Sequence, residues 1–227
     1  YYHNPIYKQF VNYLNKKQIV KDIYSIPYMP VELFKHHKVI SNEFLANNFF
    51  ESSGTTGSIS SKHFYQDLEI YNGSYLNGFQ NQYGFPSDWV ILGLLPSYLE
   101  RKNASLVYMV DGLMKHSAQP ENGFYLYNYE KLKETLDTLA KTDKKVMLFG
   151  VTFALIEFAQ KFPAQYSNLT IIETGGMKGR GKELTRDELH FFLNQQLQPY
   201  QIHSEYGMSE MFSQAYSTSK GIFNCSS

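Results

Sequence analysis

A run of small hydroxyl residues and glycines between residues 52 and 61 is the first segment whose composition suits a chemical role. It reads SSGTTGSISS, with nine Ser, Thr or Gly residues among ten positions. Backbone N–H groups freed by glycine can form an anion nest, and Ser and Thr hydroxyls add donors. The G-x-x-x-x-G-K-[ST] pattern of P-loops is absent, because Ser58 and Ile59 follow Gly57. A phosphate loop and an ordinary turn are both compatible with this composition.

A second glycine-rich segment, ETGGMKGRGKELT at residues 173 to 185, connects a predicted strand to a predicted helix. It contains four glycines and three cations, which are Lys178, Arg180 and Lys182. Its spacing does not fit the G-x-G-x-x-G pattern, so it does not indicate a dinucleotide site. A solvated basic loop is the simpler interpretation of this segment taken alone.

A third segment, HSEYGMSEMFSQAY at residues 203 to 216, combines an aromatic residue with a carboxylate. Tyr206 and Gly207 close a predicted strand, and Glu210 follows three residues after the glycine. A tyrosine at a strand end can stack on a base or pack against the core. A carboxylate in such a loop can bind Mg²⁺ or face solvent. Both alternatives stay open on this segment alone.

Strands and helices are predicted to alternate along the chain and to position these three segments. Short, mostly apolar runs predict strands at residues 89–96, 144–150, 169–174 and 202–207. Helical spacing predicts helices at residues 62–79, 104–116, 129–141, 151–162 and 185–197, the last with a Thr185–Glu188 capping box. The loop at residues 52–57 is thus expected between the strand-like pair Phe49–Phe50 and a helix. The alternation predicts an α/β fold with a mainly parallel sheet flanked by helices on both faces, and ligands bind such sheets beyond the carboxyl ends of strands.

Composition excludes several classes of protein. Lys+Arg and Asp+Glu both number 21, so no global field favours nucleic acid as a partner. The longest nearly apolar run, residues 146–156, is shorter than the roughly 20 residues of a membrane-spanning helix, and no integral membrane protein is expected. Cys225 is the only cysteine, which favours a reducing, cytoplasmic location and an inert thiol. The chain begins without Met and ends in a short polar tail, and we expect that it continues at both ends in the full protein.

The three segments, taken in order, resemble the signature loops of the adenylate-forming acyl-activating enzymes. The matching motifs are SSGTTG at residues 52–57, GGM at 175–177 and EYGMSE at 205–210. The longer stretches LLPSYLERKNASLVYMVDGLM and IIETGGMKGRGKELTRDELH resemble the acyl-protein synthetase branch, which activates fatty acids in bacterial bioluminescence. The resemblance covers about residues 45–216. It implies that residues 41–227 form the ligase core, with residues 1–40 packed on it as a helix and an arm.

The resemblance implies a two-step reaction in which ATP activates a fatty or other carboxylic acid and a protein thiol accepts the acyl group. The phosphate-binding residues would be Ser52, Ser53, Gly54, Thr55, Thr56 and Gly57. Those holding the adenine would be Gly175, Gly176, Met177, Tyr206 and Gly207. Ser209 would contact the α-phosphate and Glu210 would bind Mg²⁺, with Lys62 as the third catalytic residue.

The chain departs from the family pattern at several points. The family places a lysine three residues after the last glycine of the phosphate loop; Ser60 stands there and Lys62 follows two residues later. The aspartate that binds the ribose and the C-terminal lid with its lysine have no counterpart in this chain. Two alternative functions stay open: an acyl-CoA ligase of the phenylacetate type, with coenzyme A as acceptor, and a non-catalytic module that binds nucleotide or acyl groups.

Overall fold

The computed structural model describes residues 3–14, 20–41, 47–52, 59–96, 103–177, 181, 183–219 and 221–224. The chain divides into two compact units. The first unit contains Tyr1–Glu69 and Ser209–Met211, and the second contains Ile70–Met208 and Phe212–Ser227. Glu210 therefore belongs to a different unit from Tyr206.

Short elements make up the described part of the first unit. They are helix α1 (Pro5–Tyr13), a 3-10 turn (Ile23–Ser25), helix α2 (Leu33–His36), strand β1 (Asn48–Glu51) and strand β2 (Lys62–Tyr65). Helix α1 begins where the side chain of Asn4 accepts a hydrogen bond from the backbone N–H of Tyr7, at 2.9 Å. Proline at its first position suits a helix start, because proline has no N–H group to leave unpaired there.

Strand β2 corrects the prediction of a helix over residues 62–79. Strands β1 and β2 pair antiparallel, with Phe50 opposite His63 and Glu51 opposite Lys62. Cross-strand aromatic pairs stabilise this hairpin, and the ring centroids of Phe49 and Phe64 are 5.4 Å apart. The segment that follows Ser52 consequently connects two strands rather than a strand and a helix.

A mixed sheet organises the second unit. Among the described residues it has seven strands in the order β4-β3-β5-β6-β7-β8-β9. These are β3 (Trp89–Leu94), β4 (Gly123–Phe124), β5 (Lys145–Val151), β6 (Leu169–Thr174), β7 (Gln201–Met208), β8 (Ser213–Ser219) and β9 (Ile222–Asn224). Strands β3 to β7 pair in parallel, and β8 and β9 extend the sheet antiparallel. The prediction of an α/β fold with a mainly parallel sheet is confirmed.

Helices alternate with these strands. They are α3 (Glu69–Tyr83), a 3-10 turn (Pro86–Asp88), α4 (Ser105–Ser117), α5 (Tyr129–Leu139), α6 (Thr152–Lys161) and α7 (Arg186–Leu197). Neighbouring residues of a strand point to opposite faces of the sheet. In β7, His203 stacks on Tyr83 of α3, whereas Ser204 bonds to Glu173, which lies 3.6 Å from Arg186 of α7. Helices therefore cover both faces.

The core of the second unit lies around the central strands. All residues of β3 and β6 are buried, and in β5 only Lys145 is exposed. These strands are continuously apolar at their centres, as expected where helices cover both faces of a parallel sheet. No helix among the described residues has both the length and the apolar character needed to cross a membrane.

Strands β8 and β9 were not predicted from the sequence. Strand β8 has the sequence SQAYSTS, which lacks the apolar run or alternation that predicts a strand. Its place in the sheet depends on backbone pairing with β7, where Tyr206 lies opposite Ala215. The third segment, predicted as a strand only up to Gly207, is therefore mostly a pair of strands joined by a short turn.

The start of helix α7 allows a modest stability prediction. The side chain of Thr185 accepts a bond from the N–H of Glu188 at 3.3 Å, and the Glu188 carboxylate accepts one from the N–H of Thr185 at 2.8 Å. We expect Thr185→Ala to lower the free energy of unfolding by about 1 kcal/mol, measured by urea denaturation. Thr138→Ala is the control. The Thr138 hydroxyl donates to a carbonyl within helix α5, and its removal should change the free energy of unfolding little. Equal losses in both variants would contradict the capping role.

Candidate functional site

The hairpin of the first unit carries the start of the predicted phosphate loop. The N–H of Ser52 donates to the carbonyl of Ser61 at 3.0 Å, and the N–H of Ser61 donates to the Ser52 hydroxyl at 2.9 Å. These two bonds continue the β1–β2 pairing by one step and hold the ends of the intervening segment together. Of the phosphate-binding residues implied by the resemblance, Ser53, Gly54, Thr55, Thr56 and Gly57 lie outside the described residues.

Lys62, the candidate phosphate-loop cation, is the first residue of β2. Its ammonium nitrogen lies 4.7 Å from the centre of the Phe49 ring, at a cation–π distance. The side chain is exposed. An exposed lysine in such a contact can change its direction at small cost, because an exposed cation–π contact is worth about 0.5–1 kcal/mol.

His63, which the sequence did not single out, contacts the predicted Ser209–Glu210 segment within the first unit. Its Nδ1 lies 2.9 Å from the carbonyl oxygen of Ser209. Since a carbonyl can only accept, Nδ1 carries the hydrogen in this bond. Burial lowers the pKa of His63, while the Ser209 bond and the charge of Glu210 act to raise it. No local signal in the sequence identifies His63, because its partner Ser209 lies 146 positions away along the chain.

Gly175, Gly176 and Met177 directly follow strand β6 in the second unit. Gly175 has φ of 71°, a left-handed conformation that favours glycine, and its carbonyl accepts a hydrogen bond from the Thr152 hydroxyl at 3.3 Å. The N–H of Met177 donates to the carboxylate of Glu183 at 3.3 Å. Helix α6 and the segment before helix α7 thus hold these residues. The cations Lys178, Arg180 and Lys182 lie outside the described residues.

Tyr206 and Gly207 lie near the end of β7, the strand beside β6. The Tyr206 side chain is 49% exposed, and its ring contacts that of Phe223 edge-to-face at 5.9 Å. Its hydroxyl donates to the sulfur of Met208 at 3.0 Å. A Cβ at Gly207 would lie 2.6 Å from Oε1 of Glu205, so the Glu205 side chain would have to shift to admit one. About half of the Tyr206 side chain is therefore exposed at this strand end.

Cross-strand hydrogen bonds connect the ends of β6 and β7. The Ser204 hydroxyl donates to Glu173 and the Thr174 hydroxyl donates to Glu205, both at 2.5 Å. These pairs point to opposite faces of the sheet. Glu205 is buried, and this burial raises its pKa to about 7, with a smaller contribution from the charge of Glu173 and an opposing one from the Thr174 bond. The two bonds fix the alignment of the strand ends that precede Gly175 and Tyr206.

The predicted site residues are thus distributed over both units. In the second unit, Gly175–Met177 follow β6, and Tyr206 and Gly207 lie near the end of β7. These adjacent parallel strands are paired in register up to Glu173 and Ser204. In the first unit, Ser209 and Glu210 are close to His63. Across the described ranges, no group of three or more His, Cys, Asp or Glu residues is arranged to hold a metal ion. Cys225 lies outside those ranges.

Comparison with the models of known protein families and with curated protein sequences finds no match for this chain.

Proposed function

We propose that this protein activates a fatty or other carboxylic acid with ATP and transfers the acyl group to a protein thiol. One observation carries the proposal. The two segments that the resemblance assigns to adenine, Gly175–Met177 and Tyr206–Gly207, follow or end adjacent parallel strands of the second unit. Loops beyond the carboxyl ends of parallel strands are the usual ligand-binding positions of open α/β sheets.

In the proposed first step, a carboxylate oxygen attacks the α-phosphorus of ATP, and the bond to the pyrophosphate oxygen breaks. The products are an acyl-adenylate and pyrophosphate. In the second step, a thiolate attacks the acyl carbon and AMP leaves. Negative charge increases on the phosphate oxygens during the first step, and aligned N–H donors and cations stabilise that charge. The Ser, Thr and Gly composition of residues 52–57 and the exposed Lys62 suit this role.

Glu210 has the chemistry to bind the proposed Mg²⁺. This cation prefers oxygen ligands and usually keeps several waters while binding one or two carboxylates and the substrate phosphates. A single carboxylate therefore fits the requirement, and Glu210 is partly exposed in the first unit. When bound, Mg²⁺ would neutralise charge on the phosphate oxygens of the nucleotide.

Carboxylate-dependent exchange of labelled pyrophosphate into ATP tests the adenylation step. We expect exchange with a fatty acid and none without a carboxylate. ATP binding without any such exchange would instead support a non-catalytic module. Mass spectrometry after incubation with ATP, coenzyme A and a labelled fatty acid identifies the acceptor. An acylated protein supports the proposal, and free acyl-CoA supports the coenzyme A ligase.

Tyr206 offers a test of the adenine position. Stacking of an aromatic side chain on a base is worth about 1–3 kcal/mol, so Tyr206→Ala should raise the KM for ATP about 10-fold and change kcat little. Tyr200→Ala is the matched control, since Tyr200 is also exposed in the second unit. The KM for ATP should be unchanged there. An unchanged KM for ATP in Tyr206→Ala would exclude stacking on this ring.

A further inference from the structure

A cavity of about 410 Å³ lies beside helix α5 in the second unit. Residues 120–125, which include strand β4, line it together with a flank of α5 that contains Lys131 and Glu134. Strand β4 is the first strand of the sheet, so no described strand covers its outer edge. Sites for small organic ligands usually measure roughly 300–1,000 Å³, and this volume therefore suits a small molecule. The proposed adenylation uses none of these residues.

The inner part of the cavity is apolar and leaves room for a ligand at Gly123. Tyr125 and Leu139 line it and are buried. The Tyr125 hydroxyl donates to the Thr135 hydroxyl of α5 at 3.1 Å, which orients the ring. A Cβ at Gly123 would have one heavy atom near it beyond the chain neighbours, Cε2 of Tyr125 at 4.0 Å. An apolar group of a ligand can therefore occupy the space that a side chain would take on β4.

Two side chains of opposite charge line the cavity, Lys131 and Glu134. Helix α5 has five charged residues. Three of them form ion pairs, which are Glu130–Lys161 and Lys133–Asp137. Lys131 and Glu134 are exposed, and neither has an ion-pair partner among the described residues. The charged residues of this helix that lack such a partner are thus the two that line the cavity.

Other polar side chains of the lining are already engaged. Oε1 of Glu121 accepts a bond from the Lys144 ammonium at 2.6 Å, and Oε2 of Glu121 is shielded from solvent. The hydroxyls of Thr135 and Thr138 donate to carbonyls within α5, at 2.9 and 2.8 Å. Each of these hydroxyls can only accept a further hydrogen bond. Lys131 and Glu134 therefore supply the charges that a ligand can pair with.

The spacing of these two charges favours a ligand whose own charges are close together. Lys131 and Glu134 are three residues apart on α5, and side chains at this spacing are neighbours on a helix, with Cβ atoms about 5–6 Å apart. An α-amino acid carries an ammonium and a carboxylate on one carbon atom. We propose that the cavity binds a free amino acid with an apolar side chain. The ligand carboxylate pairs with Lys131, its ammonium pairs with Glu134, and its side chain lies beside Gly123 and Tyr125.

Titration calorimetry with matched ligands tests the pairing of both charges. L-Phenylalanine carries both, whereas 2-phenylethylamine lacks the carboxylate and 3-phenylpropanoate lacks the ammonium. Without ATP, so that the titration is independent of adenylation, each analogue should bind about 10-fold more weakly than phenylalanine or worse, because one charge-assisted bond is lost. An analogue that binds as tightly as phenylalanine would overturn the proposal. So would a failure of phenylalanine, leucine and methionine to bind at millimolar concentration.

Variants of α5 assign each ligand charge to its partner. Glu134→Gln should weaken the binding of phenylalanine and phenylethylamine about 10-fold and leave that of phenylpropanoate unchanged. Lys131→Met should weaken the binding of phenylalanine and phenylpropanoate and leave that of phenylethylamine unchanged. Lys133→Met is the matched control, since Lys133 is on the same helix, pairs with Asp137 and does not line the cavity. Equal effects of Glu134→Gln on all three ligands, or a loss of binding in Lys133→Met, would contradict the assignment.

Gly123→Val tests the location of the site. Gly123 does not have a left-handed backbone, and valine suits a strand, so this variant should fold with a free energy of unfolding no lower than that of the wild type. Its side chain would fill the space beside Tyr125 and should abolish the binding of phenylalanine. Unchanged binding in the folded variant would place the site elsewhere and overturn the proposal. The variants of α5 test the proposal independently of how Gly123→Val folds.

Discussion

The free energy of unfolding is expected to fall by about 3 kcal/mol between about pH 5 and about pH 8 because of one side chain, Glu205. This carboxyl group is buried, and its pKa is raised from the ordinary 4.5 to about 7. The folded protein therefore binds this proton more tightly than the unfolded chain. The resulting stabilisation is complete below about pH 4.5 and is lost as the pH rises through about 7.

Glu205→Gln should remove this pH dependence, because glutamine has the shape of the protonated acid and cannot ionise. Urea denaturation across the same pH range provides the measurement. The quantity to compare is the difference between wild type and variant, since other groups titrate in the same interval. Burial lowers the pKa of His63 and of His203, so their contributions are lost as the pH falls and act in the opposite direction.

Thr174→Val provides a second variant with a directional outcome. The Thr174 hydroxyl donates to Glu205 at 2.5 Å, and this bond acts to lower the pKa of the carboxyl group. Its removal should raise that pKa, so the loss of stability should occur at a higher pH than in the wild type. Parallel stability curves for wild type and Glu205→Gln would show that Glu205 does not titrate in this range.

Local patterns predict the central strands and most of the helices because packing there agrees with the sequence. The apolar run at Trp89–Leu94 is buried on both faces, and the capping box at Thr185 and Glu188 marks the start of a helix. The prediction of a helix at residues 62–65 was wrong for a physical reason. Their aromatic side chains are compatible with a helix or a strand. The strand forms because four residues of β2 pair with four residues of β1, which lie earlier in the chain.

The candidate site is less accessible to prediction from sequence than the fold. Glu205 precedes Tyr206 and has no local signal that distinguishes it from a solvent-exposed carboxylate. Its burial follows from its position opposite Thr174 at the end of β6, which depends on the register of two strands about 30 residues apart in the chain. His63 is similar, because its contact with Ser209 joins residues separated by 146 positions. Contacts of this range are tertiary and leave no periodicity in the sequence.

The second large effect is expected for Glu210→Gln. If Glu210 binds the metal in the proposed reaction, its loss should slow pyrophosphate exchange about 100-fold, or by about 3 kcal/mol of transition-state stabilisation. Folding should change little, because Glu210 is partly exposed. Glu51→Gln is the matched control, since Glu51 is a carboxylate of the same unit on strand β1. It should exchange pyrophosphate at the wild-type rate.

A second readout separates the position of Glu210 from its function. The charge of Glu210 acts to raise the pKa of His63, so Glu210→Gln should lower that pKa, measured by an NMR titration of the His63 imidazole. A lowered pKa with wild-type exchange would place Glu210 beside His63 and exclude it as the metal ligand. An unchanged pKa would contradict the proximity itself, whatever the exchange rate. Only the combination of a lowered pKa and lost exchange supports a carboxylate that lies beside His63 and acts on the nucleotide.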